Sequence, residues 1–129
     1  MAKILIVDDS SLSRRALRGI LGGAGHDVIE ANDGLSALER YFIDKPDLVC
    51  LDLVMGGMDG MEVLKKLRDL DNKARVIVAT ADIQNSTRLM VEAEGASGFV
   101  TKPFNADQLL SIVNTVLKGG HHDVERATK

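Results

Sequence analysis

The chain has no tryptophan, one tyrosine and three phenylalanines, so aromatic residues make up 3% of its 129 positions. That poverty argues against a flavin carrier, whose ring system wants aromatic partners. Its only cysteine, Cys50, cannot form an internal disulfide, and between Val49 and Leu51 it reads as a buried, inert thiol. There is no basic excess. Lys and Arg number 16 against 19 Asp and Glu, for a net charge of −3 and a pI near 5.6, so no cationic stripe is available for nucleic-acid phosphates. Apolar runs such as 4–7 and 76–79 are far too short to span a bilayer, and the start Met-Ala-Lys-Ile is not a signal peptide. No membrane insertion, no direct nucleic-acid contact and a cytoplasmic location are therefore expected. The length fits one domain and leaves no room for a second, output domain.

What is present is alternation. Short β-branched runs at 3–7, 27–31, 47–51, 74–79 and 98–101 are separated by longer stretches of helical spacing, the pattern of repeated βα units around a parallel sheet. The first, third and fourth runs are nearly continuous in apolar residues, as central strands covered on both faces should be. One helix is expected after Ser10 or Ser11, with Leu12, Ala16, Leu17, Ile20 and Leu21 inward and Gly22-Gly23 as its stop. A second follows Asn32-Asp33 with Leu35, Leu38 and Phe42 inward, and Pro46 precedes strand three. Asp59 caps a third, facing inward with Met61, Leu64 and Leu67, and the fourth offers only Leu89, Met90 and Ala93 to a core. Asn105 and Gln108 form a capping box for the fifth, whose inner face is Leu109, Ile112, Val113 and Val116. The expected organisation is one domain over 1–118 and a polar, flexible tail over 119–129. His121-His122-Asp123 in that tail reads as solvated.

Sites in open α/β sheets gather beyond the carboxyl ends of the strands. Here those ends carry Asp8-Asp9, Asp52, Thr80 and Thr101-Lys102-Pro103. Any one of these acids could be a helix cap or a turn residue, but their convergence on one edge is harder to explain that way. Three carboxylates in one crevice repel and call for raised pKa values, a nearby cation, or both. Mg²⁺ suits an all-oxygen donor set, whereas zinc would want the His or Cys that these strand ends lack. Lys102 adds a positive charge and Thr80 a hydroxyl donor, and together they describe a phosphate site.

The runs Val7-Asp8-Asp9-Ser10, Leu51-Asp52-Leu53-Val54-Met55 with Met58-Asp59-Gly60, Ala79-Thr80-Ala81 and Thr101-Lys102-Pro103-Phe104 resemble the receiver, or response regulator, family. The likeness extends from residue 3 to about 118 and is strongest to the single-domain chemotaxis members. It implies a doubly wound α/β fold, a five-stranded parallel sheet in the order 2-1-3-4-5 flanked by five helices. It also implies that Asp52 is the phosphoacceptor, that Asp8 and Asp9 form the acidic pocket, and that Asp9, Asp52 and the Val54 carbonyl hold Mg²⁺. Thr80 and Lys102 would contact the phosphoryl oxygens, a cis bond before Pro103 would aim Lys102, and Phe99 would be the switch aromatic.

The implied partners are a histidine kinase or phosphotransfer protein, a downstream protein on the face of helix four, strand five and helix five, and a phosphatase. The implied activity is a signalling switch with Mg²⁺-dependent autophosphorylation and slow autodephosphorylation rather than a metabolic enzyme. Val54 and Asp82 would flank the site and bear on the lifetime of the phosphorylated state. Two departures stand out. Gly56 replaces the usual proline, so the 56–57 loop should be mobile, and Phe99 lacks the tyrosine hydroxyl of chemotaxis members. Aspartyl-phosphate hydrolases of the haloacid dehalogenase type want Asp-x-Asp after strand one, which the adjacent Asp8-Asp9 does not supply. The remaining alternatives are a scaffold of the same fold that works without phosphorylation, or a receiver cut from a larger regulator.

Overall fold

The computed structural model describes residues 2–55, 57–81 and 84–119. The chain alternates β1 (Lys3–Val7), α1 (Ser11–Gly23), β2 (Asp27–Ala31), α2 (Gly34–Asp44), β3 (Leu48–Leu51), α3 (Gly60–Leu70), β4 (Val76–Thr80), α4 (Asn85–Ala93), β5 (Gly98–Thr101) and α5 (Ala106–Leu117). All strand pairings are parallel, in the order β2-β1-β3-β4-β5. Four helices start on a side-chain cap. Ser10, Asp33, Asp59 and Asn105 accept from the N–H groups of Ser13, Ser36, Glu62 and Gln108, which satisfies donors the helix cannot.

Side-chain alternation along the strands divides the interior in two. Ile4, Ile6, Leu48, Cys50, Ile77 and Val100 face α1 and α5, where Leu17, Leu21, Leu109 and Ile112 meet them. Leu5, Val7, Val49, Leu51, Val76 and Val78 face the opposite layer, against Ala37, Val63, Leu64 and Leu67. Cys50 is buried, and burial pushes its thiol up to about 12, so it packs as a small apolar group.

The helix faces depart from the sequence reading in three places. On α2, Leu35 and Phe42 are 67% and 78% exposed, and the inward stripe is Gly34, Ala37, Leu38 and Tyr41. Both stripes have helical spacing, and the small residues win because they let α2 come close to α3: a Cβ on Gly34 would sit 2.8 Å from Val63. On α4, Leu89 and Met90 are 62% and 56% exposed and Ala93 is exposed too, while Val91 is buried. On α1, Leu12 and Ala16 point outward. Gly22 and Gly23 remain helical, and the turn comes at Gly25, with φ 93°. β3 begins at Leu48 rather than residue 47, and β4 runs from Val76 through Thr80 rather than over 74–79. Gly56, Asp82 and the tail from 120 onward, with its histidine pair, lie outside the described residues.

Two local features hold the strand ends in place. Gly60 opens α3 directly under the end of β3: its N–H donates to the Leu53 carbonyl at 3.0 Å, and a Cβ there would collide with the Asp52 carbonyl and Leu53 Cα. On the other side, Glu30 of β2 accepts from Arg14 at 2.9 Å and from Arg18, tying α1 to the sheet edge. Partial burial works to raise the Glu30 pKa, but hydrogen bonds and charge from Arg18 and Arg14 outweigh it and hold the carboxyl below its ordinary 4.5.

Gly60→Ala is therefore expected to destabilise the fold by about 1–3 kcal/mol, because backbone cannot move aside. Gly19→Ala, on the exposed side of α1 with nothing within 4 Å of the new methyl, should stabilise it by about 0.4–1 kcal/mol. Urea unfolding of both variants reads the contrast, and equal effects would contradict it. The Glu30 contribution is full above the unfolded pKa and disappears as pH falls through the lowered folded value. Glu30→Gln should thus cost about 0.5–1 kcal/mol at pH 7, with the gap to wild type closing below pH 4.5 in unfolding curves taken at each pH.

Candidate functional site

The carboxyl ends of β1, β3, β4 and β5 carry Asp8, Asp9, Asp52, Thr80 and Lys102. Asp8 follows β1 and is 1% exposed. Asp52 follows β3 and is 6% exposed, and Thr80 is the buried last residue of β4. Burying two carboxylates is costly unless each is paired and hydrogen-bonded. Lys102 meets that requirement: its Nζ donates to Asp8 Oδ2 at 2.8 Å and to Asp52 Oδ2 at 3.1 Å, with its side chain 19% exposed.

The remaining carboxylate oxygens take backbone donors. Ser10 N–H donates to Asp8 Oδ1 at 2.9 Å, and Val54 N–H to Asp52 Oδ1 at 3.2 Å. Desolvation opposes the charge on Lys102, but hydrogen bonds and charge from Asp8 and Asp52 more than offset it and raise its pKa above the ordinary 10.5. The ammonium is therefore cationic throughout the physiological range. The stabilisation it gives is present below 10.5 and fades only as pH rises through the raised folded value.

Asp9 is exposed, next to the buried pair. Asp8, Asp9 and Asp52 can each present one oxygen such that the three lie within 4.8 Å of one another. Three carboxylates facing one ammonium leave a net negative pocket lined by hard oxygen donors, which fits a divalent cation of the hard class. Val54 is exposed at the mouth of the site, and Gly57 beyond it has φ 75°.

Strand five completes the edge. Lys102 N–H donates to the Thr80 carbonyl at 2.9 Å, Thr80 pairs with Thr101 in the ladder, and the Lys102–Pro103 peptide is cis. Phe99 pairs with Val78 and packs against the α3 side of the core, on the same sheet face as Thr80. Thr80 and Phe99 are thus diagonal neighbours on one face.

Three residues of this region carry no distinctive sequence signal. Ser13 Oγ accepts from Lys102 Nζ at 3.1 Å, and Arg14 Nη1 donates to the Asp8 carbonyl at 2.7 Å. The Arg88 guanidinium lies 5.2 Å from the centre of the Phe99 ring, and its Nε is buried without a hydrogen-bond partner. Ser13 and Arg14 read in sequence as ordinary first-turn residues. Their roles depend on how α1 lies across β1 and the β5–α5 loop.

Comparison with known proteins agrees with this geometry. A family profile described as response regulator receiver domain matches residues 4–114. Chemotaxis protein CheY of Bacillus subtilis is 40% identical over 116 residues, which covers 89% of this chain and 97% of that protein. Protein PilH of Pseudomonas aeruginosa is 36% identical over 121 residues, covering 92% of this chain and all of that protein. Among solved structures, a chain of the CheX–CheY–BeF3–Mg²⁺ complex of Borrelia burgdorferi superposes with a TM-score of 0.85 at 32% identity, covering 88% of this chain and 87% of that one. Vibrio cholerae CheY4 gives 0.84 at 32% identity, covering 88% of this chain and 97% of that one. With the five-stranded order and the acidic cluster already in place, these matches show that the chain belongs to the response regulator receiver family, the phosphorylation-dependent switches of two-component signalling.

Proposed function

We propose that Asp52 is the phosphoacceptor and that the chain passes its signal on as a change of shape. The observation that carries this reading is the Lys102 ammonium held between Asp8 and Asp52, with Asp9 close enough to share a cation with both. The Asp52 carboxylate attacks the phosphorus of a phosphohistidine on a histidine kinase or phosphotransfer protein. The P–N bond breaks, the imidazole leaves, and an acyl phosphate forms that water later hydrolyses. Lys102 stays in place to neutralise charge on the transferring group, in keeping with a loose transition state in which positioning and electrostatics do most of the catalysis. Thr80 offers its hydroxyl to the phosphoryl oxygens.

Mg²⁺ is the cation this donor set suits, held by Asp9, Asp52 and the Val54 carbonyl beside Asp8. When bound, it supplies positive charge to the phosphoryl oxygens. The same ion is present with BeF3 in the crystal of the related CheY. The chain is thus a switch with Mg²⁺-dependent autophosphorylation from small donors and slow autodephosphorylation, working in the cytoplasm. Among the described residues no helix is long and apolar enough to cross a membrane. The receiver unit extends to about residue 118, with 119–129 as a tail.

Phosphorylation draws Thr80 toward the new dianion, and the Phe99 ring moves into the space it leaves, since packed interiors admit a ring only where another group has withdrawn. The downstream protein docks on the face of α4, β5 and α5, where Leu89 and Met90 are exposed beside Arg88 and Phe99. A phosphatase would meet the acyl phosphate from the open side of the site, near Val54.

Acetyl phosphate with Mg²⁺ should add one phosphoryl group to the wild type and none to Asp52→Asn, read by intact mass. Stoichiometric labelling of that variant at the same site would refute the assignment. Asp9→Ala should weaken Mg²⁺ binding in calorimetric titration by at least ~10-fold while the fold persists, because it removes one of the carboxylates that hold the ion. An unchanged affinity would show that the ion is held elsewhere.

A further inference from the structure

Lys102 has a third partner that phosphoryl chemistry at Asp52 leaves without a task. Besides Asp8 and Asp52, its ammonium donates to Ser13 Oγ at 3.1 Å. An ammonium has three N–H bonds, so these three acceptors occupy it fully and fix its rotation about the Cε–Nζ bond. Two of them are carboxylates, just past the ends of β1 and β3, and the third is an uncharged hydroxyl that reaches in from α1.

Among the described residues on that flank, no other side chain offers an acceptor in place of the hydroxyl. Ser13 and Lys102 border a cavity of about 390 Å³ whose other walls are Leu12, Ala16, Ala81, Pro103 and Phe104, all without polar side-chain atoms. The Ser13 backbone is pinned as well. Its N–H donates to the Ser10 cap at 3.2 Å, and the next residue, Arg14, holds the Asp8 carbonyl at 2.7 Å. One turn of α1 therefore sets both the buried carboxylate and the orientation of the ammonium that neutralises it.

We propose that Ser13 is a positioning residue for phosphoryl transfer: its hydroxyl holds one N–H of Lys102, so that the ammonium keeps a second on Asp8 and presents the third at Asp52, where the phosphoryl oxygens arrive. The inference rests on Asp52 being the phosphoacceptor. When Asp52 becomes an acyl phosphate its carboxyl oxygens are weaker acceptors, and the N–H aimed at it has a phosphoryl oxygen to take instead. The contacts to Ser13 and Asp8 need not break, so the charge is in place before transfer begins.

Ser13→Ala and Ser13→Thr test this. Alanine is the better helix former at this half-exposed position, so loss of the fold is not the expected result. In the metal-free, donor-free protein, ¹⁵N NMR of the lysine ammonium groups should show Lys102 protons of the alanine variant exchanging with water at least ~3-fold faster. With acetyl phosphate and saturating Mg²⁺, the phosphorylation rate should fall about 3- to 10-fold while the Mg²⁺ dissociation constant is unchanged, and threonine should restore both signals. If the wild type is phosphorylated but alanine alters neither ammonium exchange nor rate, or threonine restores neither, this inference fails alone. A wild type that takes no phosphoryl group overturns the assignment of Asp52 as well, even if the ammonium signals respond.

Discussion

Everything at the carboxyl edge of the sheet depends on one electrostatic constraint: three carboxylates share a crevice with a single ammonium. Two like charges about 4 Å apart repel by roughly 4 kcal/mol at an effective dielectric near 20. Asp8 and Asp52 are both nearly fully buried, and Lys102 lies between them as the hydrogen-bonded opposite charge that buried carboxylates need. That arrangement leaves the pocket anionic overall and ready for a cation. It also explains why so much of the surrounding structure holds these three side chains still: the Ser10 and Val54 N–H groups on the carboxylates, Gly60 beneath the Asp52 backbone, and Arg14 on the Asp8 carbonyl.

The sheet separates the acidic cluster from Thr80 and Phe99. Continued one residue past each strand, the alternation that sends Ile6, Cys50 and Val100 toward α1 and α5 also assigns Asp8, Asp52 and Lys102 to that layer. Thr80 and Phe99 belong to the opposite layer, with Val76 and Val78. The pairing of β4 with β5 links the two, where the Lys102 N–H meets the Thr80 carbonyl.

In the layer of Thr80 and Phe99, α4 is the most lightly anchored helix. Val91 is its buried residue among those described, and its outer face shows Leu89 and Met90 to solvent. Few buried contacts mean a low free energy for local rearrangement. Arg88 places its guanidinium as a cation over the Phe99 ring. The ring that lacks the tyrosine hydroxyl is thus not left without a polar relation; it has one with α4.

The sequence by itself determined the βα alternation, since five β-branched runs spaced by helical stretches admit few other arrangements, and it determined the caps at Asp59 and Asn105 and narrowed the first two to Ser10 or Ser11 and to Asn32-Asp33, because capping is a local matter of a side-chain oxygen and an N–H three residues on. The site residues were also legible, as acids and a lysine at successive strand ends. Helix rotation was not. The stripes 35/38/42 and 34/37/38/41 on α2 are equally periodic, and only the neighbouring α3 chooses between them, through the space that Gly34 leaves for Val63. The same holds for Ser13 and Arg88, ordinary helix residues until packing sets one against Lys102 and the other over Phe99. Periodicity records that a helix has an inside, but which residues face it, and what they touch there, is decided by shape complementarity between elements distant in the chain.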